Sequence, residues 1–421
     1  MRESRRYILP IILITSCFAL WGFANDITNP MVKAFSKIFR MNVTEGALVQ
    51  VAFYGGYFAM ALPAAMFIRR FSFKAGVIIG LSLYAVGAFL FFPAGLSGRY
   101  WPFLVAYFIL TCGLSFLETS CNPYIMAFGS RSSAIRRLNL AQAFNPLGSL
   151  AGMYVAMHFI QARLNPLSSE ERMSLTPVEF NAVKSHDLEI LTHPYIAIGG
   201  IIVVLLLIIS FIGMPHADDH NETDSRGILR RLWGDRTYRN GVIAQFFYVG
   251  VQIMVWTFII QYGTQVFMEQ GFAEREAEVI SQKYNIAAMV LFCVSRFVCT
   301  ALMRYFHPAA MLAVFGVAGA MLSLGTLLIG GMVGLWCIVG ISACMSLMFP
   351  TIYGIALKGL SQEDSKFGAA GLIMAILGGS VLPPFQGLII DSFNVNISFL
   401  LPCVCLVIVA IYGYAESRIK V

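Results

Sequence analysis

The sequence predicts an all-α membrane protein with twelve transmembrane helices. Of its 421 residues, 58% are hydrophobic and only 12% are charged, with a mean hydropathy of +0.74. Charged residues make up about a quarter of an ordinary soluble domain. The hydrophobic residues are gathered in runs of roughly 20, each long enough to cross a bilayer at about 1.5 Å per helical residue. A chain of this kind is a polytopic membrane protein.

Twelve such runs can be placed along the chain, six on each side of a polar segment near its middle. They lie at about 7–30, 47–68, 75–94, 101–128, 139–161, 194–214, 240–268, 279–303, 308–331, 333–357, 368–390 and 397–414. The polar segment, residues 215–239, separates an N-terminal half (1–214) from a C-terminal half (240–421). We therefore expect two six-helix bundles joined by a cytoplasmic linker. The polar residues 162–192, between the fifth and sixth runs, are expected to form a solvated connector.

Short internal similarities suggest that the two halves are pseudo-symmetric. The run Arg69-Arg-Phe-Ser-Phe-Lys-Ala-Gly76 resembles Met303-Arg-Tyr-Phe-His-Pro-Ala-Ala310, and each follows the second span of its half. Likewise Asn122-Pro-Tyr-Ile125 resembles Phe349-Pro-Thr-Ile352, in the fourth span of each half. Many secondary transporters consist of two such repeats around a site near the membrane midplane.

The distribution of basic residues predicts that both termini are cytoplasmic. With these spans, 19 of the 29 Lys and Arg residues fall on the side of the termini and nine on the other, while Arg296 lies within a span. Positively charged loops stay in the cytoplasm, so the net charge of +7 reflects topology and does not indicate nucleic-acid binding. The nine cysteines all lie in predicted spans without ligand spacing, so we expect no disulfide framework, metal site or cofactor.

Two carboxylates lie deep inside predicted spans, Glu118 in 101–128 and Asp26 in 7–30. A charge at such a depth costs roughly 2.5 to 3.5 kcal/mol, so these residues usually face a polar cavity and mark a proton or substrate path. Because burial favours the neutral form of a carboxyl, such a group can bind a proton outside and release it inside. Glu118 is the first candidate for proton coupling and Asp26 the second. The structural alternative is a carboxyl that holds two helices together.

Polar and aromatic side chains recur at helical spacing along four predicted spans, so each set shares one helix face. The candidate substrate-binding residues are Trp21, Asn25, Asn29, Glu118, Asn122, Gln142, Asn145, Tyr248, Gln252 and Trp256. Amides both donate and accept hydrogen bonds, which suits sugar hydroxyls, and aromatic faces can cover the apolar side of a sugar ring. The set therefore favours a neutral carbohydrate. Alternatively, the amides bond neighbouring helices to each other.

Arg296 lies in the cytoplasmic part of the predicted span 279–303. Its guanidinium either contributes to the cavity or to an inside gate, or extends along the helix to the cytoplasmic interface.

Five motifs resemble one known family. They are Phe18-Ala-Leu-Trp-Gly-Phe-Ala-Asn25, Leu48-Val-Gln-Val-Ala-Phe-Tyr-Gly-Gly-Tyr-Phe58, Leu117-Glu-Thr-Ser-Cys-Asn-Pro-Tyr124, Arg137-Leu-Asn-Leu-Ala-Gln-Ala-Phe-Asn145 and Ala244-Gln-Phe-Phe-Tyr-Val-Gly-Val-Gln252. These runs resemble the fucose permeases, which belong to the fucose-galactose-glucose proton symporters of the major facilitator superfamily. The resemblance extends through nearly the whole chain.

The resemblance implies the major facilitator fold and proton-driven uptake of a hexose, with L-fucose favoured, in the inner membrane of a Gram-negative bacterium. In this family Glu118 corresponds to the proton-linked glutamate, and Gln142 and Asn145 correspond to sugar-contacting amides. The family's aspartate of the first helix corresponds to position 29, where this chain has Asn29. Asp26 lies one helical turn earlier and is the candidate to replace it.

Other functions remain open at this stage. The chain could carry another sugar such as glucose or galactose, export apolar drugs in exchange for protons, or sense a sugar without moving it. An enzyme is disfavoured because the spans contain no metal-ligand spacing or nucleophile motif. We expect a monomer whose partners are the sugar, protons and the lipid bilayer.

Overall fold

The computed structural model describes residues 2–28, 31–41, 45, 48–128, 131–167, 169–213 and 227–418. Within these ranges all regular secondary structure is helical. The α-helices are α1 (Arg2–Thr28), α2 (Met31–Phe39), α3 (Leu48–Arg70), α4 (Phe73–Ser97), α5 (Trp101–Ala127), α6 (Ala134–Gln142), α7 (Phe144–Val155), α8 (Ser169–Ser174), α9 (Pro177–Phe211), α10 (Ile228–Gly234), α11 (Arg236–Glu269), α12 (Glu274–Leu302), α13 (Pro308–Leu328), α14 (Gly331–Met345), α15 (Met348–Leu357), α16 (Gln362–Met374), α17 (Gly378–Ser392), α18 (Val395–Ser398) and α19 (Leu400–Ser417). The predicted all-α fold class is confirmed.

Eleven helical stretches in the described part of the chain are long and apolar enough to cross a membrane. Each corresponds to one predicted span. The twelfth predicted span, 139–161, is also helical but interrupted, because α6 ends at Gln142, α7 begins at Phe144 and residues 156–161 form a π-helix. Pro146 explains the break, since a proline has no N–H to offer the carbonyl four residues earlier.

The chain packs into two compact units. The first contains residues 1–124 and 144–218, and the second contains residues 125–143 and 219–421. The boundary at 218/219 falls inside the predicted linker 215–239, of which residues 215–226 lie outside the described part of the structure. The rest of that linker is not extended, because it forms α10 and the start of α11. The sequence division had placed all of 125–143 in the first half.

Each unit is built from long helices that pack in pairs. In the first unit α1 packs along α7, and α4 packs along α9. In the second unit α11 packs against α12, α17 and α19, while α13 packs against α14 and α19. These pairs position most of the polar side chains that the sequence singled out.

The polar segment 162–192 is folded, which corrects its interpretation as a solvated connector. Helix α9 begins at Pro177 and not near residue 194. The Thr176 hydroxyl accepts a hydrogen bond from the Glu179 N–H, and the Glu179 carboxylate accepts one from the Thr176 N–H at 3.0 Å. Such a capping box followed by proline at the first helical position is a strong helix start. Hydropathy alone did not detect it.

A buried ion pair holds this segment in place. Arg172 Nη2 lies 2.6 Å from Asp187 Oδ2, and neither side chain is accessible to solvent. Asp187 Oδ1 also accepts a hydrogen bond from the Asn165 N–H at 2.8 Å. Arg172 donates to the carbonyls of Asn165 and Leu167 at 3.0 and 3.2 Å. The pair therefore ties α8 to α9 and fixes the chain between α7 and α8.

We expect the substitution Asp187→Ala to lower the free energy of unfolding by about 3 to 5 kcal/mol, because it leaves the Arg172 guanidinium buried and unpaired. Unfolding can be followed with a maleimide dye that fluoresces on reaction with thiols, since all nine cysteines are free and eight of them are buried. Arg99→Met, at an exposed arginine, is the matched control. The double variant Arg172→Met, Asp187→Leu should recover most of the loss. Equal unfolding temperatures for Asp187→Ala and Arg99→Met would contradict the role of the pair.

Candidate functional site

The contact between α1 and α7 positions Trp21 and Asn145 in the first unit. A Cβ atom at Gly148 would lie 1.8 Å from the Ala19 carbonyl oxygen, so the two backbones touch where glycine leaves room. Asn145 Nδ2 donates a hydrogen bond to the Phe18 carbonyl at 3.2 Å. Trp21 is buried, with its ring 4.5 Å from that of Phe18. Asn145 thus bonds helices together, as the alternative interpretation predicted, while its side chain stays half-buried.

The end of α1 carries the other candidates of the first span. Asn25 and Asp26 are both half-buried. Asp26 interacts electrostatically with Tyr54 of α3. Asn29, where the resemblance implies an aspartate in the family, lies outside the described residues. Asp26, the acid predicted deep inside this span, is therefore the residue that can be placed.

The polar face of α5 is fully enclosed within the first unit. Glu118 has 4% of its side chain exposed, and Ser115 and Asn122 have none. Ser115 Oγ donates a hydrogen bond to the Tyr57 carbonyl at 3.1 Å, which aligns this face with α3. Glu118 interacts electrostatically with Tyr57. The predicted spacing of the three residues is confirmed as one buried face.

Two tyrosines of α3 were missed by the sequence analysis as site residues. Tyr54 and Tyr57 are three residues apart, so they lie one turn from each other on the same side of α3. Each interacts with a different acid, Tyr54 with Asp26 and Tyr57 with Glu118. A phenol hydroxyl can donate to a carboxylate or accept from a carboxylic acid, so each can stabilise either protonation state. The available signal was the doublet Gly55-Gly56 between two tyrosines in an apolar span.

In the second unit, the Tyr248 hydroxyl is hydrogen-bonded to the backbone. Its side chain is completely buried, and its hydroxyl donates a hydrogen bond to the Met345 carbonyl at 3.2 Å. Met345 is the last residue of α14, where carbonyl groups lack a helical donor. Tyr248 therefore closes a helix end, and its hydroxyl is not available to a ligand in this conformation. Gln252, one turn further along α11, is half-buried.

Trp256 is half-buried and held in a defined orientation. Its indole Nε1–H donates to Ser342 Oγ at 3.2 Å. Its ring meets that of Phe292 edge to face, with centroids 5.0 Å apart and planes at 80°. Both neighbours come from other helices, α14 and α12. An aromatic ring fixed in this way can offer one face to a ligand without losing side-chain entropy on binding.

Arg296 is buried, with 3% of its side chain exposed. Its Nη1 donates a hydrogen bond to the Gln142 carbonyl at 3.0 Å, and its Nε donates to the Ser346 carbonyl. Its guanidinium lies over the Phe292 ring at 4.5 Å from the centroid. The alternative in which Arg296 extends to the membrane interface is therefore wrong. Arg296 instead connects α6, α12 and the end of α14.

The predicted residues are thus brought together in separate groups. In the first unit Asn145 bonds the Phe18 carbonyl, the Phe18 ring contacts that of Trp21, and Glu118 shares its face with Asn122. In the second unit Arg296 joins the backbone of Gln142 to Phe292, which contacts Trp256. Gln142 and Asn145, predicted on one face of a continuous helix, fall on opposite sides of the break at Ala143 and in different units. Among the described residues, no group of three or more His, Cys, Asp or Glu side chains could hold a metal ion.

Comparison with known proteins identifies relatives along the whole chain. The family profile described as Major Facilitator Superfamily matches residues 14–376. The L-fucose-proton symporter of Haemophilus influenzae is 48% identical over 432 residues, which cover 99% of this chain and 98% of the relative. The L-fucose-proton symporter of Escherichia coli is 34% identical, and the glucose/galactose transporter of Brucella abortus is 30% identical, each over 99% of this chain. The alignments cover 95% and 96% of those two proteins.

Solved structures give the same result. The crystal structure of an Escherichia coli fucose:proton symporter variant superposes with a TM-score of 0.88 at 33% identity, covering 98% of this chain and all of that chain. A proton:xylose symporter superposes with a TM-score of 0.73 at 13% identity, which shows the shared fold alone.

We expect Gly148→Ala to destabilise the protein by about 1 to 3 kcal/mol or more, because the added methyl group would overlap a backbone oxygen that cannot move without separating α1 from α7. Gly200→Ala is the control, since a Cβ there meets nothing within 4 Å and alanine favours a helix by up to about 1 kcal/mol. Thermal unfolding of the two purified variants measures the difference. If Gly148→Ala unfolds no earlier than Gly200→Ala, the close contact does not hold the two helices.

Proposed function

Because the chain belongs to the major facilitator superfamily, we propose that it is a symporter that takes up L-fucose together with protons by alternating access. The observation that carries the proposal is the 48% identity over 99% of the chain to a protein named as an L-fucose-proton symporter. The enclosed acid on α5 and the oriented indole on α11 are chemically consistent with it. A proton carrier needs the first, and a sugar site benefits from the second.

Glu118 is proposed as the proton-coupling residue, with Asp26 as its partner. Glu118 lies in the middle of α5 and is almost completely buried, so its ionised form is costly unless a proton or a partner neutralises it. Tyr57 and Tyr54 interact electrostatically with the two acids, and a phenol hydroxyl is able to bond either protonation state of a carboxyl. One proton moving down a potential of 100 mV supplies about 2.3 kcal/mol, which corresponds to roughly fiftyfold accumulation of a neutral sugar.

The polar groups favour a neutral substrate. Both carbonyl contacts of Arg296 engage its guanidinium with the backbone, so this buried cation is not presented to an anion. Asn25, Asn122, Gln142, Asn145 and Gln252 offer amides, which match sugar hydroxyls as donors and acceptors. The Trp256 indole, oriented by Ser342, provides an apolar face for the ring.

Glucose or galactose is the second candidate substrate, because a relative named as a glucose/galactose transporter is 30% identical over 99% of this chain. The larger identity to the fucose symporters places L-fucose first. No comparable observation favours drug export or sugar sensing.

We further propose that the protein is a monomer of the bacterial inner membrane with both termini in the cytoplasm. The bias of 19 basic residues against nine supports this orientation. The proton gradient is its proposed energy source, without a cofactor.

The function is tested by adding sugars one at a time to de-energised cells that express the protein and recording the external pH. L-Fucose should make the medium more alkaline, because protons enter with the sugar. D-Glucose and D-galactose are the competing substrates, and cells with an empty vector are the control. Uptake that requires sodium and leaves the pH unchanged would refute proton coupling. A response to glucose or galactose alone would reassign the sugar.

We expect Glu118→Gln to abolish accumulation against a gradient while the variant still binds and exchanges the sugar, since glutamine resembles the protonated carboxyl but cannot release a proton. In energised membrane vesicles the internal concentration should fall from up to roughly fiftyfold excess to equality with the outside. Glu189→Gln, at an exposed acid of α9, is the control. Full accumulation by Glu118→Gln would remove this residue from the coupling mechanism.

A further inference from the structure

A short segment of the first half packs with the second unit. Residues Ile125–Ala143, here called the crossover segment, belong to the second unit, although the chain on both sides belongs to the first. The chain leaves the first unit inside α5, directly after Tyr124, and returns to it at Phe144, the first residue of α7. Both transitions lie close to a proline, Pro123 and Pro146, where helices bend most easily.

Helix α6 packs against α15 and α12 of the second unit. Its residues Ile135, Asn139 and Gln142 lie on one helix face at spacings of four and three. Asn139 Nδ2 donates to Thr351 Oγ1 at 3.3 Å, and Ile135 packs against Gly354, where an added Cβ would lie 2.9 Å from the Ile135 side chain. A further contact is the bond from Arg296 to the Gln142 carbonyl. The bond from Arg296 is charge-assisted, whereas the bond from Asn139 is neutral and therefore weaker.

Arg296 bonds two carbonyl groups that both lack a hydrogen-bond donor within their own helix. The Gln142 carbonyl would normally accept from the N–H of residue 146, and the Ser346 carbonyl from that of residue 350. Both positions are proline, Pro146 and Pro350, so neither helix can supply the donor. The guanidinium of Arg296 donates to both oxygens. Its planar fork of five N–H groups makes this possible, whereas a lysine ammonium lacks that geometry.

We propose that Arg296 is a positioning residue which latches the crossover segment to the second unit through the proline-orphaned carbonyl of Gln142, and that this latch opens during transport. The Ser346 bond keeps the guanidinium anchored on its own unit, while the Gln142 bond is the one that breaks. Once free, α6 can follow α7, to which it is joined through Ala143. Because Gln142 is also a proposed sugar ligand, latch and substrate would meet at one residue. The transport part of this inference rests on the proposed function.

Cys299 is a built-in reporter for the latch. It lies one turn beyond Arg296 on α12, has 2% of its side chain exposed and contacts the Ser346 hydroxyl at 3.8 Å. The experiment uses the full-length protein in lipid nanodiscs without sugar and measures the rate at which N-ethylmaleimide modifies Cys299, by mass spectrometry of the peptide. Cys299→Ser identifies the signal.

Loosening the latch should expose this thiol. Arg296→Lys keeps the charge but loses the fork, Asn139→Ala removes the second bond, and Pro146→Ala restores an N–H that competes for the Gln142 carbonyl. Arg296→Lys and Pro146→Ala should each speed modification by about tenfold, the factor expected for one hydrogen bond to a charged group, and Asn139→Ala by about fivefold, because its bond is neutral. Pro93→Ala, at an exposed proline inside α4, should leave the rate unchanged. Asn139→Ala and Pro146→Ala remove no charge, so they decide the question if Arg296→Lys does not fold.

The decisive comparison is the double variant Arg296→Lys, Pro146→Ala. Both substitutions act on the same bond, so the double variant should react no faster than the faster single variant. Rates that multiply, or rates equal to wild type in Asn139→Ala and Pro146→Ala, would overturn the latch. Because these measurements contain no sugar, they stand even if L-fucose proves not to be the substrate. If L-fucose is transported and adding it leaves the wild-type rate unchanged, the claim that the latch opens during transport is wrong.

Discussion

Every backbone N–H and carbonyl inside the apolar spans must find its partner within the protein, because hydrocarbon supplies none. Helices meet this constraint by themselves except at their ends and at prolines. Here side chains complete what the helices leave open: Tyr248 bonds the end of α14, and Arg296 bonds the carbonyls that Pro146 and Pro350 leave without donors. Polar side chains such as Tyr248 and Arg296 therefore bond the backbone. Fewer polar side chains are available to a ligand than the sequence indicates.

The spans could be predicted because a run of roughly 20 apolar residues has one plausible role in a chain of this composition. Hydropathy failed where a helix begins with polar residues. The polar first turns of α9 were assigned to a connector, although Thr176 and Glu179 begin a helix through local hydrogen bonds that hydropathy cannot register. The break at Ala143 could have been predicted from Pro146, because the Gln142 carbonyl would need the N–H that a proline lacks.

The sequence predicted which residues belong to the candidate site better than it predicted which groups those residues contact. Helical spacing correctly placed Ser115, Glu118 and Asn122 on one face, because a continuous helix makes that geometry certain. For Gln142 and Asn145 the helix is interrupted at Ala143, so spacing alone does not decide which face they share. Tyr54 and Tyr57 were overlooked because an aromatic residue in an apolar span resembles ordinary packing. Spacing along one helix does not say which neighbouring helix a side chain meets.

The crossover segment has a consequence for how such a chain could arise by duplication. Its residues precede the sixth span in the sequence, yet they pack with the last six spans. A half-length ancestor would therefore have carried one helix whose packing surface belonged to a second copy, as in a domain-swapped dimer. Fusion of two copies into one reading frame would turn that exchange into an intramolecular event at high effective concentration. In this chain the boundary between the packed units therefore does not coincide with the boundary between the two halves of the sequence.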